Sequence, residues 1–280
     1  MRRFLYSVMR GERRDLAALL VTIPLAVLSV LYGLAVRVVL ECYKSGIFTR
    51  RKLDVPVISV GNLTMGGVGK TPMVIELVRM LRGRKIKPVV LTRGYGAEKG
   101  LSDEAEMLKD FLKDVPVVVN PNRFEGGLDA IKRFHPDVFI LDDGFQHWKL
   151  ERDLDIVLID AARPFGNGCL LPAGILREPL SSLNRADVLV LTKTDRADIS
   201  ELKKQLALLC PGTPIVETVH KPKSLTNVYT DASAGLDRIV GPVVAFCAIG
   251  DPLSFKSLLI DLGADVKEFV HFIDHHCYSA

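Results

Sequence analysis

The sequence has no Cys-x-x-Cys pair. Its five cysteines, Cys42, Cys169, Cys210, Cys247 and Cys277, stand far apart. That spacing excludes a disulfide scaffold and a cysteine-based zinc site, and it suits a reducing compartment. There is no internal repeat and no low-complexity tract, which excludes a repeat array. Basic residues interleaved with aromatics are missing, so no nucleic-acid partner is expected. No small-residue cleavage site follows the one long apolar run, which excludes an obvious cleavable signal. A hydrophobic fraction of 48% excludes disorder. A chain of 280 residues holds one large domain, or one large and one small.

Acidic residues are scarce at the start. Residues 1–52 carry ten Lys and Arg against three acids, Glu12, Asp15 and Glu41, a net +7 that leaves −3 for the rest of the +4 total. Inside this basic stretch, Leu16 to Val36 is almost wholly apolar and long enough to span a bilayer as a helix. Positive charge flanks it on both sides. A helix lying in the interface keeps both flanks on one membrane face and near anionic lipid. Spanning and interfacial arrangements both stay open at this point, as does a helix buried against the core.

The richest stretch is 57–72. Val57, Ile58 and Val60 read as a buried strand. Thr64, Met65, Gly66, Gly67, Val68 and Gly69 form a glycine-rich loop, and Lys70 and Thr71 open an apolar helix running from Met73 to Leu81. A helix start with open N–H groups binds phosphate. Lys70 reaches the β- and γ-phosphates there, and the Thr71 hydroxyl sits on Mg²⁺. Thr64 stands where the usual pattern has its first Gly.

Further strands follow at 87–92, 115–119, 136–143, 156–160 and 187–195, alternating with helices. That order predicts an α/β phosphate-loop domain with a mostly parallel sheet. The second strand ends in Arg93-Gly94-Tyr95-Gly96, at the kind of carboxyl end where ligands collect. Ser102, Asp103 and Glu104 read as an N-cap and an acidic first helical turn. The fourth strand ends in Asp142-Asp143, placed to hold the Mg²⁺ of a nucleotide and to polarise a nucleophile. Gln146 and His147 follow beside the acids. Arg177 and Glu178 stand at the tip of a later loop.

Thr192-Lys193-Thr194-Asp195 looks like the guanine-reading element of GTPases, so a membrane-tethered regulatory GTPase is an open alternative. A membrane adaptor with an inactive nucleotide fold is a third. Composition changes near Cys210-Pro211-Gly212. The expected organisation is a membrane-associated segment at 1–52, a phosphate-loop core at 53–212 and a smaller α/β lobe at 213–280, with a strand at 243–250 and a helix at 253–262.

Five motifs occur in order: Val60 to Pro72, Arg93 to Gly96, Asp142 to His147, Leu170 to Pro179, and Asp274-His275-His276. Together they resemble the tetraacyldisaccharide 4'-kinase family of lipid A biosynthesis, over nearly the whole chain. The family is similar in having Thr or Ser at the Thr64 position. The resemblance implies transfer of the γ-phosphate of ATP to the 4'-hydroxyl of a tetraacyldisaccharide 1-phosphate, at the cytoplasmic face of the inner membrane.

It also implies site residues. The loop from Thr64 to Thr71, with Gln146, holds ATP. Asp103 is the base for the sugar hydroxyl, and Glu104 helps Thr71 and Asp142 hold Mg²⁺. Lys70, Asp143 and His147 share the catalytic centre, and His275 supports the base. Asn62, Arg93, Arg123, Arg177 and Glu178 lie near substrate or nucleotide phosphate. The chain departs from the family in Ser102, which replaces a Gly before Asp-Glu, and in a short segment between Gly96 and Asp103. It also stops before a Thr-Thr-x-Lys-Asp segment, so the smaller lobe is expected to be incomplete.

Overall fold

A computed structural model describes residues 2–13, 15–94, 103–239 and 241–272. The chain divides into two compact units, Met1–Thr218 and Val219–Ala280.

The first unit opens with two helices, α1 (Arg2–Met9) and α2 (Leu16–Lys44). Asp15 caps α2 by accepting from Ala18 N at 2.8 Å. The chain then enters the centre of a sheet as β1 (Val57–Asn62), crosses through α3 (Lys70–Gly83) and continues as β2 (Pro88–Thr92). It goes on through α4 (Asp103–Phe111), β3 (Val117–Val119), α5 (Arg123–Phe134), β4 (Val138–Asp142), β5 (Leu154–Asp160), β6 (Val188–Thr192), α6 (Ser200–Leu209) and β7 (Ile215–Glu217).

The seven strands are ordered β3-β2-β4-β1-β5-β6-β7, and every pair is parallel. β1 lies between β4 and β5, so the order reverses beside it and opens a crevice at the carboxyl ends of the strands. Parallel strands need cover on both faces, and the sequence supplies it. Val60, Val90, Ile140 and Leu158 pack on one face with Val74 and Val78 of α3 and Leu108 of α4. Leu91, Phe139 and Leu141 pack on the other with Ala130 of α5, and Val157, Ile159 and Leu191 with Leu202 and Leu206 of α6.

The expected break at 212/213 falls before β7. That strand hydrogen-bonds to β6 in the register Leu189–Ile215, so the first unit runs six residues further, to Thr218. Residues 1–52 belong to the same unit.

In the second unit β8 (Leu225–Thr226) and β9 (Ser233–Ala234) form a small hairpin. β10 (Gly241–Cys247) and β11 (Ala264–His271) are parallel and joined by α7 (Pro252–Asp261). Asp251 caps α7, and Pro252 sits at its first turn.

Candidate active site

β1 delivers the chain to the crevice, and the loop that follows is clamped from three sides. Met65 N donates to Ile175 O at 2.7 Å, and Arg177 N to Leu63 O at 2.8 Å. Thr192 Oγ1, at the end of β6, donates to Val68 O at 3.0 Å. The loop enters α3 through Gly69 at φ 92, left-handed backbone that favours glycine. No side chain caps α3. Its first-turn N–H groups and dipole therefore point to an anion.

Five polar residues close a ring above this helix start. Asn62 is fully buried at the end of β1. Its amide nitrogen donates to Thr64 Oγ1 at 3.3 Å, and its Oδ1 accepts from Lys70 Nζ at 3.1 Å. Lys70 Nζ also stands 3.4 Å from Asp143 Oδ1. Arg177 Nη1 donates to both Asp143 oxygens, at 3.0 and 2.9 Å, and to Gln146 Oε1 at 3.2 Å. Gln146 Nε2 returns to Asn62 O at 3.0 Å. Asp143 has φ 48, strained for a residue with a side chain and held by its two cations. Burial pushes its carboxyl up, but Lys70 and Arg177 outweigh burial and leave it below the usual range.

Asp142 sits beside Val60 in the register of β4 on β1. It is buried, and its Oδ2 accepts from Thr92 Oγ1 at 3.3 Å. Arg123 braces the turn, with Nη2 donating to Asp142 O at 3.3 Å and Nη1 lying 3.4 Å from His147 Nδ1. Burial first, then the charges of Arg123, Arg152, Lys149 and Arg93, push His147 down to about 4. A guanidinium only donates, so the His147 Nδ1 accepts and its ring proton is on Nε2. Thr71 lies in the first turn of α3. A hydroxyl and a carboxylate, both hard oxygen donors, fit Mg²⁺ shared with phosphate oxygens.

The structure thus gathers Thr64, Lys70, Asp143, Gln146 and Arg177 around the loop, with Arg123, Asp142 and His147 behind them. Glu178, expected near substrate or phosphate, is fully buried; it accepts from Trp148 Nε1 at 3.2 Å and pairs with Arg185 at 2.9 Å. Asn62, expected at the substrate, is equally buried and holds Lys70 and the loop. Arg93 is exposed just beyond β2. Asp103 and Glu104 open α4, but their side chains lie outside the described residues, as does His275 entirely.

The guanine-like element has another task. Lys193, at φ 58, is buried and pairs with Asp160 at 2.6 Å, tying the end of β6 to β5. Sequence reasoning missed the supporting roles of Thr192, Trp148 and Arg185. In the sequence Thr192 reads only as part of the guanine-like element, whereas its hydroxyl holds Val68 O. Trp148 and Arg185 stand outside the five motifs, and only their contacts with Glu178 reveal them.

Within this ring Lys70 is held by Asn62 Oδ1 at 3.1 Å and Asp143 Oδ1 at 3.4 Å, at the start of α3. Fold and site together define a phosphate-loop phosphotransferase. The model of the family described as tetraacyldisaccharide-1-P 4'-kinase, LpxK, matches residues 21–280. A tetraacyldisaccharide 4'-kinase of Geobacter metallireducens is 40% identical over 93% of this chain and 80% of its own length. One of Geobacter sulfurreducens is 38% identical over 96% and 80%. The LpxK structure from Aquifex aeolicus, described as an "apo" form in complex with ATP, superposes with a TM-score of 0.75. It is 35% identical and covers 91% of this chain and 83% of that one. The chain belongs to the tetraacyldisaccharide-1-P 4'-kinase family and is a kinase of lipid A biosynthesis.

Proposed function

We propose that this chain moves the γ-phosphate of ATP to the 4'-hydroxyl of a tetraacyldisaccharide 1-phosphate at a membrane surface. The observation that carries the proposal is the ring Asn62–Lys70–Asp143–Arg177–Gln146, set at an uncapped helix start. Family membership supplies the lipid, and the ATP in the Aquifex aeolicus complex supplies the donor.

Phosphoryl transfer asks a protein for positioning and charge neutralisation more than covalent chemistry. Lys70 leaves Asp143 and meets the β- and γ-phosphates, steered by Asn62 Oδ1. Arg177 stays on Asp143 and keeps a positive charge facing the transferring group. Gln146 holds Arg177 in register with the end of β1. Arg123 fixes the Asp142 backbone. Thr71 and Asp142, assisted by Glu104, would hold Mg²⁺, which would neutralise phosphate charge. Asp103 takes the proton of the 4'-hydroxyl.

α2 supports an interfacial seat. One narrow face packs on the first unit: Ser29 Oγ donates to Leu170 O at 2.8 Å, Tyr32 Oη to Arg177 O at 2.7 Å, and Val36 is buried. The rest of the helix is bare: Leu20 is 64% exposed, Val27 63% and Leu31 59%. A helix docked lengthwise, with basic flanks on both sides, lies on a leaflet rather than crossing it. The cytoplasmic face supplies both ATP and anionic lipid.

The test is transfer of labelled phosphate to tetraacyldisaccharide 1-phosphate in detergent, with ATP and GTP in parallel. Labelled lipid is expected from ATP, needing magnesium and lost in Lys70→Ala. GTP hydrolysis with no labelled lipid would favour the GTPase reading instead.

A further inference from the structure

The family match begins at residue 21, so α1 stands outside it. Yet α1 reaches the phosphate loop. Gly66 has φ 122, and a Cβ added there would lie 3.3 Å from Tyr6 Oη and 3.8 Å from Arg10 Nη2. The backbone conformation favours glycine at this point, and the ends of Tyr6 and Arg10 lie next to it. The Arg10 guanidinium lies over the Tyr6 ring at 4.4 Å, and its side chain is only 15% exposed.

The segment carrying Arg10 is anchored. Val8 is buried, and Asn167 N donates to Met9 O at 3.4 Å. Glu12 stands 3.9 Å from Arg10 and 3.1 Å from Arg163. An arginine therefore sits against the tip of a phosphate-binding loop without the entropy cost of ordering a free chain end.

We propose that Arg10 binds a phosphate group held at Gly66–Gly67, as a guanidinium fork stacked on Tyr6. It extends the cradle of Lys70 and the α3 N-terminus with a cation from outside the phosphate-loop core. The inference rests on the reading of this loop as the nucleotide site. The phosphate comes either from the nucleotide or from the 1-position of the disaccharide. Only residues 10–15 separate α1 from α2, so the seat of α2 also sets where Arg10 stands.

The experiment uses the full chain in detergent, with Arg10→Gln, Arg10→Lys and Lys70→Ala. It measures the Kd for magnesium-ATP, and kcat and KM for tetraacyldisaccharide with and without its 1-phosphate. Arg10→Gln is expected to weaken one phosphate-bearing ligand about ten-fold, and Arg10→Lys about three-fold, with kcat changing less than about two-fold. A shift in the ATP Kd identifies nucleotide phosphate. A shift in lipid KM that disappears without the 1-phosphate identifies the lipid. Unchanged constants for Arg10→Gln, beside lost ATP binding in Lys70→Ala, would overturn the inference alone. Intact ATP binding in Lys70→Ala would overturn the loop assignment and the inference with it. If Arg10→Gln misfolds, Arg10→Lys carries the comparison: weakened binding supports the inference and native constants overturn it.

Discussion

Asp143 carries two cations on one carboxylate, and its chemistry follows from that. Asp143→Asn keeps the shape but removes the charge that holds Lys70 and Arg177 together. Transfer should fall about a hundred-fold or more, the scale of losing one preorganised electrostatic group, read in single turnover with folding checked. Lys70 and Arg177 depress the Asp143 pKa, so its contribution to stability is full above the ordinary value of 3.8 and is lost as pH falls through the folded value. The thermal midpoints of the native chain and Asp143→Asn should therefore converge below about pH 4. His147 has the same sign of shift but a different window. Its pKa is pushed from 6.5 to about 4, so the unfolded chain takes up a proton first and stability falls as pH drops between those values. His147→Gln should flatten that slope, and the His147 ring should show no charge change from about pH 5 to 8 by NMR. Glu178 and Asn62 lie in motifs that report chemistry, but their contacts, Trp148 and Arg185 for one and Lys70 for the other, join distant residues and leave no mark on the motif.

Elements were legible where hydrophobic patterning was long. β1, β2, β4 and β5 are runs of Val, Ile and Leu, and the structure returns each within two residues; β6 ends at Thr192, three residues short of Asp195, where the chain turns at Lys193 with φ 58. β3 starts at Val117 rather than 115. β7 was not legible, since three residues after a proline at a sheet edge carry no period. α1 was hidden by its charges. α2 runs to Lys44, past the apolar stretch, because Arg37 and Glu41 end the hydrophobicity without ending the helix. The two faces of α2 separate by mutation. Leu20→Ser, Val27→Ser and Leu31→Ser together should cut partition onto anionic vesicles at least ten-fold at unchanged Tm, since each buried apolar side chain contributes about 1.5–3 kcal/mol. Gly33→Leu acts on the docked face. A Cβ there would meet Leu170 at 2.7 Å, so overpacking should cost about 1–3 kcal/mol by denaturant unfolding.

At the scale of the whole molecule, the seven-stranded parallel sheet does one thing for function. It puts β1 at the switch point, so that the loop, Asp142, Asp143 and the ends of β2 and β6 converge on one crevice. That much follows from the order strand–loop–helix and strand–acid in the sequence. The wiring between them, Thr192 to Val68 or Tyr32 to Arg177, joins residues over a hundred positions apart and leaves no local trace. The central claim is that this crevice phosphorylates a lipid sugar. The most direct measurement is the ³¹P spectrum of tetraacyldisaccharide 1-phosphate after incubation with the chain, ATP and magnesium. A second phosphomonoester resonance on the lipid, coupled to the 4'-proton and absent with Lys70→Ala, is the predicted result. A spectrum with inorganic phosphate as the only new phosphomonoester, and the lipid unchanged, would contradict it.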